Sequence, residues 1–118
     1  MYRLQEIVTT VQQTAEAIAE VLKIEVEIAD TGLTRVAGTG RFHGQCGQKL
    51  GGSFIYRHVL DTGQALVIEY PGFHTLCRPC PYHGNCQEDA EVVSPIIAAG
   101  QTIGIVGLIS FSPDQTRQ

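Results

Sequence analysis

The chain has 118 residues, with 8 Lys plus Arg against 12 Asp plus Glu and a net charge of -4. That length is one domain with room for a real hydrophobic core, and scattered basic residues in a negative chain argue against a DNA-binding surface. No signal-peptide succession opens the chain, and polar residues interrupt every apolar run before the ~20 residues of a spanning helix. The expectation is a cytoplasmic protein with no direct nucleic-acid or membrane partner.

From Leu4 the apolar residues Leu4, Ile7, Val8, Val11, Ala15, Ile18, Ala19 and Leu22 recur at helical spacing, with Gln12, Gln13, Glu16 and Glu20 on the other face. This predicts an amphipathic helix whose stripe packs on a sheet or on the same helix of a second subunit. Ile24 to Ile28 alternates as a half-buried strand does, Asp30-Thr-Gly32 is a turn signal, and Leu33 to Ala37 completes a hairpin. Six glycines between Gly38 and Gly52 then predict a long flexible loop holding His43 and Cys46.

Ser53 is the expected N-cap of a helix from Phe54 to Leu60, stopped by Gly63, and Ala65 to Glu69 reads as a third strand. Glu91 to Ile97 and Thr102 to Phe111 form a second, more apolar hairpin through Ala99-Gly100-Gln101. Gly104 and Gly107 inside its last strand signal close approach of backbone or ligand, or a bulge. Ser112-Pro113-Asp114 reads as an N-cap with proline at the first helical position, so a helix is expected to continue from there and the chain to be part of a longer regulator.

Three of the four cysteines lie in Cys77-Arg-Pro-Cys-Pro-Tyr-His-Gly-Asn-Cys86, where Pro79 and Pro81 bar both a helix and a central strand. Gly84-Asn85 turns Cys86 back towards the Cys77/Cys80 pair. With Cys46 the pattern is C-x30-C-x2-C-x5-C. In a reducing compartment, grouped thiols serve metal or redox chemistry more often than cross-linking. Four thiolates at Cys46, Cys77, Cys80 and Cys86 suit a [4Fe-4S] cluster, and Pro81 follows a ligand cysteine as proline does in ferredoxin loops. The same four suit a structural zinc. A third reading makes Cys77 and Cys80 a reducible pair and leaves Cys46 and Cys86 buried.

His43, His74 and His83 lie in or beside the cysteine loops, and any of them could replace a thiol around zinc; His58, one turn after Phe54, reads as a core or rim residue. Enzymatic function is not expected, because neither Cys46 with His43 nor Cys86 with His83 shows an orienting third group, and no phosphate-binding glycine motif is complete. Metal-free binding of a small molecule is a further class, its pocket including Arg41, Tyr56 or Tyr70.

The order helix, hairpin, loop with helix, strand, loop, apolar hairpin resembles a GAF domain over nearly the whole chain. The clearest carriers are Glu91-Val-Val-Ser-Pro-Ile-Ile-Ala-Ala-Gly-Gln-Thr-Ile-Gly-Ile-Val-Gly-Leu108, similar to that domain's final hairpin, and the cysteine loop before it. The resemblance implies an α/β (α+β) fold, an antiparallel sheet of five or six strands flanked by helices, as a single domain over 1–118. A cysteine loop followed directly by this hairpin is similar to the N-terminal sensor regions of some sigma-54-interacting transcriptional activators. On that resemblance an ATPase and a DNA-binding domain would follow in the same full-length chain. The first helix's stripe and the usual symmetry of sensor domains add a homodimer to the expected partners.

Overall fold

The computed structural model describes residues 4–42, 47, 54–68 and 90–110. A 3-10 turn, Leu4–Ile7, leads into helix α1, Val8–Leu22; strands β1, Glu25–Asp30, and β2, Arg35–Gly38, follow, and a second 3-10 turn spans Gly40–Phe42. Helix α2 is Phe54–Thr62, and β3, Leu66–Ile68, β4, Ala90–Ala98, and β5, Gln101–Ser110, complete the order. The five strands form one sheet in the order β2-β1-β5-β4-β3, every pairing antiparallel.

Both expected hairpins are present, and the step the local pattern could not supply is the long-range pairing of β1 with β5, from Glu25 opposite Ile109 to Asp30 opposite Gly104. It joins the two hairpins into one sheet. Helix α1 packs on one face, where Leu4, Val11 and Ala15 meet Val26, Ile28, Val36 and Ala37. Helix α2 packs on the other, where Ile55, Tyr56 and Val59 meet Ala29, Ile68, Val93 and Ile105.

The first helical stripe therefore lies against the sheet, with two corrections. Ile7 is 53% exposed and Leu22 45%. The tighter winding of the 3-10 turn changes the phase of the stripe between Ile7 and Val8, and Leu22 is the last helical residue before left-handed Lys23 turns the chain into β1. Gly38 also departs from the expected loop, since it ends β2, and Gly40–Phe42 is wound into a 3-10 turn. The outer edge of β2 is closed there by Gln12 of α1: its amide donates to the Gly38 carbonyl and accepts from the Gly38 N–H, each at 3.0 Å. A sheet edge satisfied by a side chain has nothing left to offer another strand at that position.

The β4–β5 connection is a two-residue turn, Ala98 opposite Gln101, with Ala99 at φ 52° and Gly100 at φ 77°. Positive φ at both central residues makes a type I′ turn, whose twist suits a hairpin but which carries a Cβ penalty at alanine. Ala99→Asn is expected to stabilise the domain by about 0.5 to 1 kcal/mol, because asparagine tolerates that conformation. Urea unfolding at neutral pH reads the gain; an unchanged or lowered midpoint would show that the turn carries no strain.

The calls at Ser53, Glu69, Phe111 and the Ser112-Pro113-Asp114 helix start fall outside the described residues. No described helix is long and apolar enough to cross a membrane.

Candidate functional site

Strand β1 alternates in sequence, yet its central residues are buried on both faces, and Glu27 is 5% exposed. The expected half-buried strand is thus a fully covered one, because α1 takes the Val26 and Ile28 side while α2 takes the Glu27 and Ala29 side. A buried carboxylate needs strong partners, and the structure supplies two. Arg35 donates from Nε to Glu27 Oε1 at 2.7 Å, with its Nη2 against the same oxygen, and the Tyr56 hydroxyl donates to Glu27 Oε2 at 2.8 Å.

A bulge aims Arg35. Ala29 faces Arg35 but Ile28 faces Ala37, so Val36 is an extra residue on β2. Val36 and Ala37 both join the cluster under α1, and Arg35 is turned to the opposite face, diagonal to Glu27. Its guanidinium stands over the Phe42 ring, 5.3 Å from the centroid, a cation–π arrangement.

Tyr56 reaches Glu27 from α2 by passing over β5, and what lets it pass is Gly107, the register partner of Glu27. A Cβ at Gly107 would meet the Tyr56 hydroxyl and ring. The close approach anticipated at both glycines is therefore present: Gly107 admits Tyr56, and Gly104 admits Leu4 and the Ala29 carbonyl.

Tyr56, a candidate ligand contact by sequence, is thus buried and bonded to Glu27. His58, read as a core or rim residue, is exposed on α2 instead, because the helix buries Ile55, Tyr56 and Val59 and turns position 58 outward. The Glu27–Arg35–Tyr56 set escaped the reading of the sequence. Its available signal was the placement of Glu27 and Arg35 on either side of the Asp30-Thr-Gly32 turn, which puts an acid and a base on facing arms of one hairpin.

Cys46, Cys77, Cys80, Cys86, His43, His74, His83 and Tyr70 lie outside the described residues, and among the described residues no group of three metal-binding side chains occurs. The points where the two cysteine segments join the described fold are fixed. Gly38, which leads through Phe42 into the Cys46 segment, faces Glu27 near the start of β1; Ile68 and Ala90, which bracket the Cys77–Cys86 segment, sit beside Glu91 and Ser110. Since Ile109 faces Glu25, all these points are at one end of the sheet.

The family model that describes the GAF domain matches residues 3–118. The chain is 39% identical over 113 residues to UacR of Escherichia coli K12, described as a uric acid sigma-54-dependent transcriptional regulator, covering 95% of this chain and 19% of that one. It spans about a fifth of that relative's length. Among solved structures, the GAF domain of Aquifex aeolicus nlh2 in an inactive state superposes with a TM-score of 0.65 at 18% identity, covering 98% of this chain and 74% of that one. The type II free methionine-R-sulfoxide reductase of Thermoplasma acidophilum gives 0.67 at 16% identity, with 97% and 85% covered. A GAF domain and a reductase thus share this backbone, and at such identities the likeness speaks for the fold alone. With its five-stranded antiparallel sheet between two helices and a family match over nearly its full length, the chain belongs to the GAF domain family.

Proposed function

We propose that this GAF domain is the sensory module of a sigma-54-dependent transcriptional regulator and that it reads redox state, oxygen or a related reactive molecule through a [4Fe-4S] cluster on Cys46, Cys77, Cys80 and Cys86. The observation that carries the cysteine assignment is the placement of the segment ends. A four-thiolate site needs its ligands within a few ångströms of one centre, and segments springing from the same end of one sheet start close together, which favours their meeting. The regulatory half of the reading rests on the 39% identity to UacR. On this reading the chain belongs to a longer, homodimeric cytoplasmic regulator with ATPase and DNA-binding domains, and the module binds and signals without catalysis.

When bound, the cluster would supply a redox-responsive link between the two segments. The protein's own part is to fix where they begin and end. Ala90 joins the Cys77–Cys86 segment directly to β4, so a change of ligation would act on the β4–β5 hairpin without an intermediary.

Anaerobic purification with iron, sulfide and zinc analysis tests the assignment. Stoichiometric iron and sulfide that bleach in air, and are lost with Cys46→Ser, are expected. Zinc retained in air would assign the four thiolates to a structural ion instead. Folded, colourless protein after anaerobic supply of iron and sulfide would overturn both. A second reading is favoured by the description of UacR, which specifies uric acid: a small oxidised purine would then be the signal. Calorimetric titration of the metal-free chain with uric acid decides it.

A further inference from the structure

We propose that Pro95 guards a stretch of sheet edge, keeping β4 from pairing with the same strand of a second copy of this chain beyond the point where β3 ends. Strand β3 lies alongside β4 only from Glu91 to Val93, whereas β4 runs on to Ala98. Among the described residues no strand continues β3 beside Ser94 to Ala98. The direction of the backbone groups there follows from the pairings. Both groups of Gly38 point out of the sheet to Gln12, so those of Glu27, opposite Gly38, point the other way, to β5. Gly107, opposite Glu27, therefore directs its groups to β1, and Val93, opposite Gly107, directs its own away from β5, to Leu66. Two residues on, before the register shift between Ile96 and Ile97, Pro95 has the same orientation. The N–H that proline lacks is the one an added strand would need first.

The opposite edge of the sheet is handled differently. Along β2 the Gly38 groups are taken by Gln12 and the Arg35 carbonyl by the Gly47 N–H at 2.8 Å, so partners occupy that edge. On β4 a residue without a donor stands in it. The overhang is otherwise a good template, extended and apolar, with Ile97 56% exposed. No charged residue occurs between Glu91 and Asp114, so the side chain that commonly blocks an edge is missing and the block falls to the proline. A second copy is the occupant that fits, because two identical overhangs laid antiparallel about a twofold axis close on each other.

The test compares the whole chain as wild type, Pro95→Val and Pro95→Ser, under reducing conditions, by sedimentation velocity over a range of micromolar concentrations. Both substitutions restore the N–H; serine does so without adding apolar surface. Each copy regains one donor, so a symmetric pair gains two hydrogen bonds, and self-association beyond the wild-type species is expected to tighten by about tenfold in both variants. Hydrogen exchange by NMR locates it. The amides at positions 95 and 97 should slow as concentration rises, that of Gly38 on the opposite edge should not, and that of Ile105, opposite position 95, reports that each variant is folded. Folded variants that associate as wild type does overturn the proposal. So does association of the valine variant alone, which added apolar surface would explain, or association that leaves the Ile97 amide exchanging as before. Adding Ile97→Lys to Pro95→Ser should restore wild-type behaviour, since a charge then blocks the overhang; tighter association that persists would place the contact elsewhere and refute the guard. Pro95→Ser decides if the valine variant does not fold. A wild-type dimer, expected on the function proposed above, sets only the baseline of this comparison.

Discussion

Replacing Arg35 with methionine is expected to remove about 3 to 5 kcal/mol of folding stability, out of a total of about 5 to 15 for a domain of this kind. The loss comes from what remains. Glu27, 5% exposed, would lose its cationic partner and keep only the Tyr56 hydroxyl as a described partner, and the contact of the Arg35 guanidinium with the Phe42 ring would go with it. The intact pair need not be a large net contributor, because desolvating two ions offsets most of their attraction. This gives the prediction its second arm: Glu27→Leu, Arg35→Met and Tyr56→Phe together should fall within about 2 kcal/mol of wild type, since no polar atom of the set is then left unpaired. Urea unfolding of both proteins at neutral pH measures the contrast. A single variant that loses less than about 1 kcal/mol would mean that water reaches the carboxylate.

The same residues show how far the sequence could be read. Alternation in β1, the Asp30-Thr-Gly32 turn and the apolar β4–β5 pair located the hairpins, because each signal is local and acts within a few residues. Asp30 Oδ1 accepts from both the Gly32 and Thr34 N–H groups, the self-contained turn chemistry that such a signal encodes. The burial of Glu27 was not legible, because alternation identifies two faces of a strand without saying whether the second is covered. Here α2, nearly thirty positions further on, covers it. The bulge at Val36 was hidden for a related reason. It depends on which residue of β1 each residue of β2 faces, and the extra residue is apolar like Ala37 beside it. For the cysteines, the spacing groups Cys46, Cys77, Cys80 and Cys86 as the proposed ligand set, and the strand pairings add that both segments begin at one end of the sheet. Tyr56 shows the opposite limit: a phenol can bond a ligand or a neighbouring carboxylate equally well, and only the register that puts Gly107 opposite Glu27 decides between them.

Gly107→Ala should cost about 2 to 5 kcal/mol, an unusually large loss for a single methyl on a strand. The new Cβ would lie 2.9 Å from Tyr56 Cζ and 3.3 Å from Cε1, and nearer still to the hydroxyl. Neither side can yield cheaply. Gly107 lies between Glu27 on β1 and Val93 on β4 in the middle of the sheet, and α2 is held down by Ile55 and Val59. Tyr56 must then leave its position, and with it goes the hydrogen bond to Glu27 Oε2, so overpacking and an orphaned buried acceptor act together. A double-mutant cycle separates this from a general intolerance of side chains at position 107. Tyr56→Leu alone also deprives Glu27 of the hydroxyl, but it empties the space above Gly107, so adding Gly107→Ala to it should cost at least about 1 kcal/mol less than adding it to wild type. Costs that add to within about 0.5 kcal/mol would show that the methyl group acts on something other than Tyr56, and would remove Gly107 from the account of how α2 reaches across the sheet to Glu27.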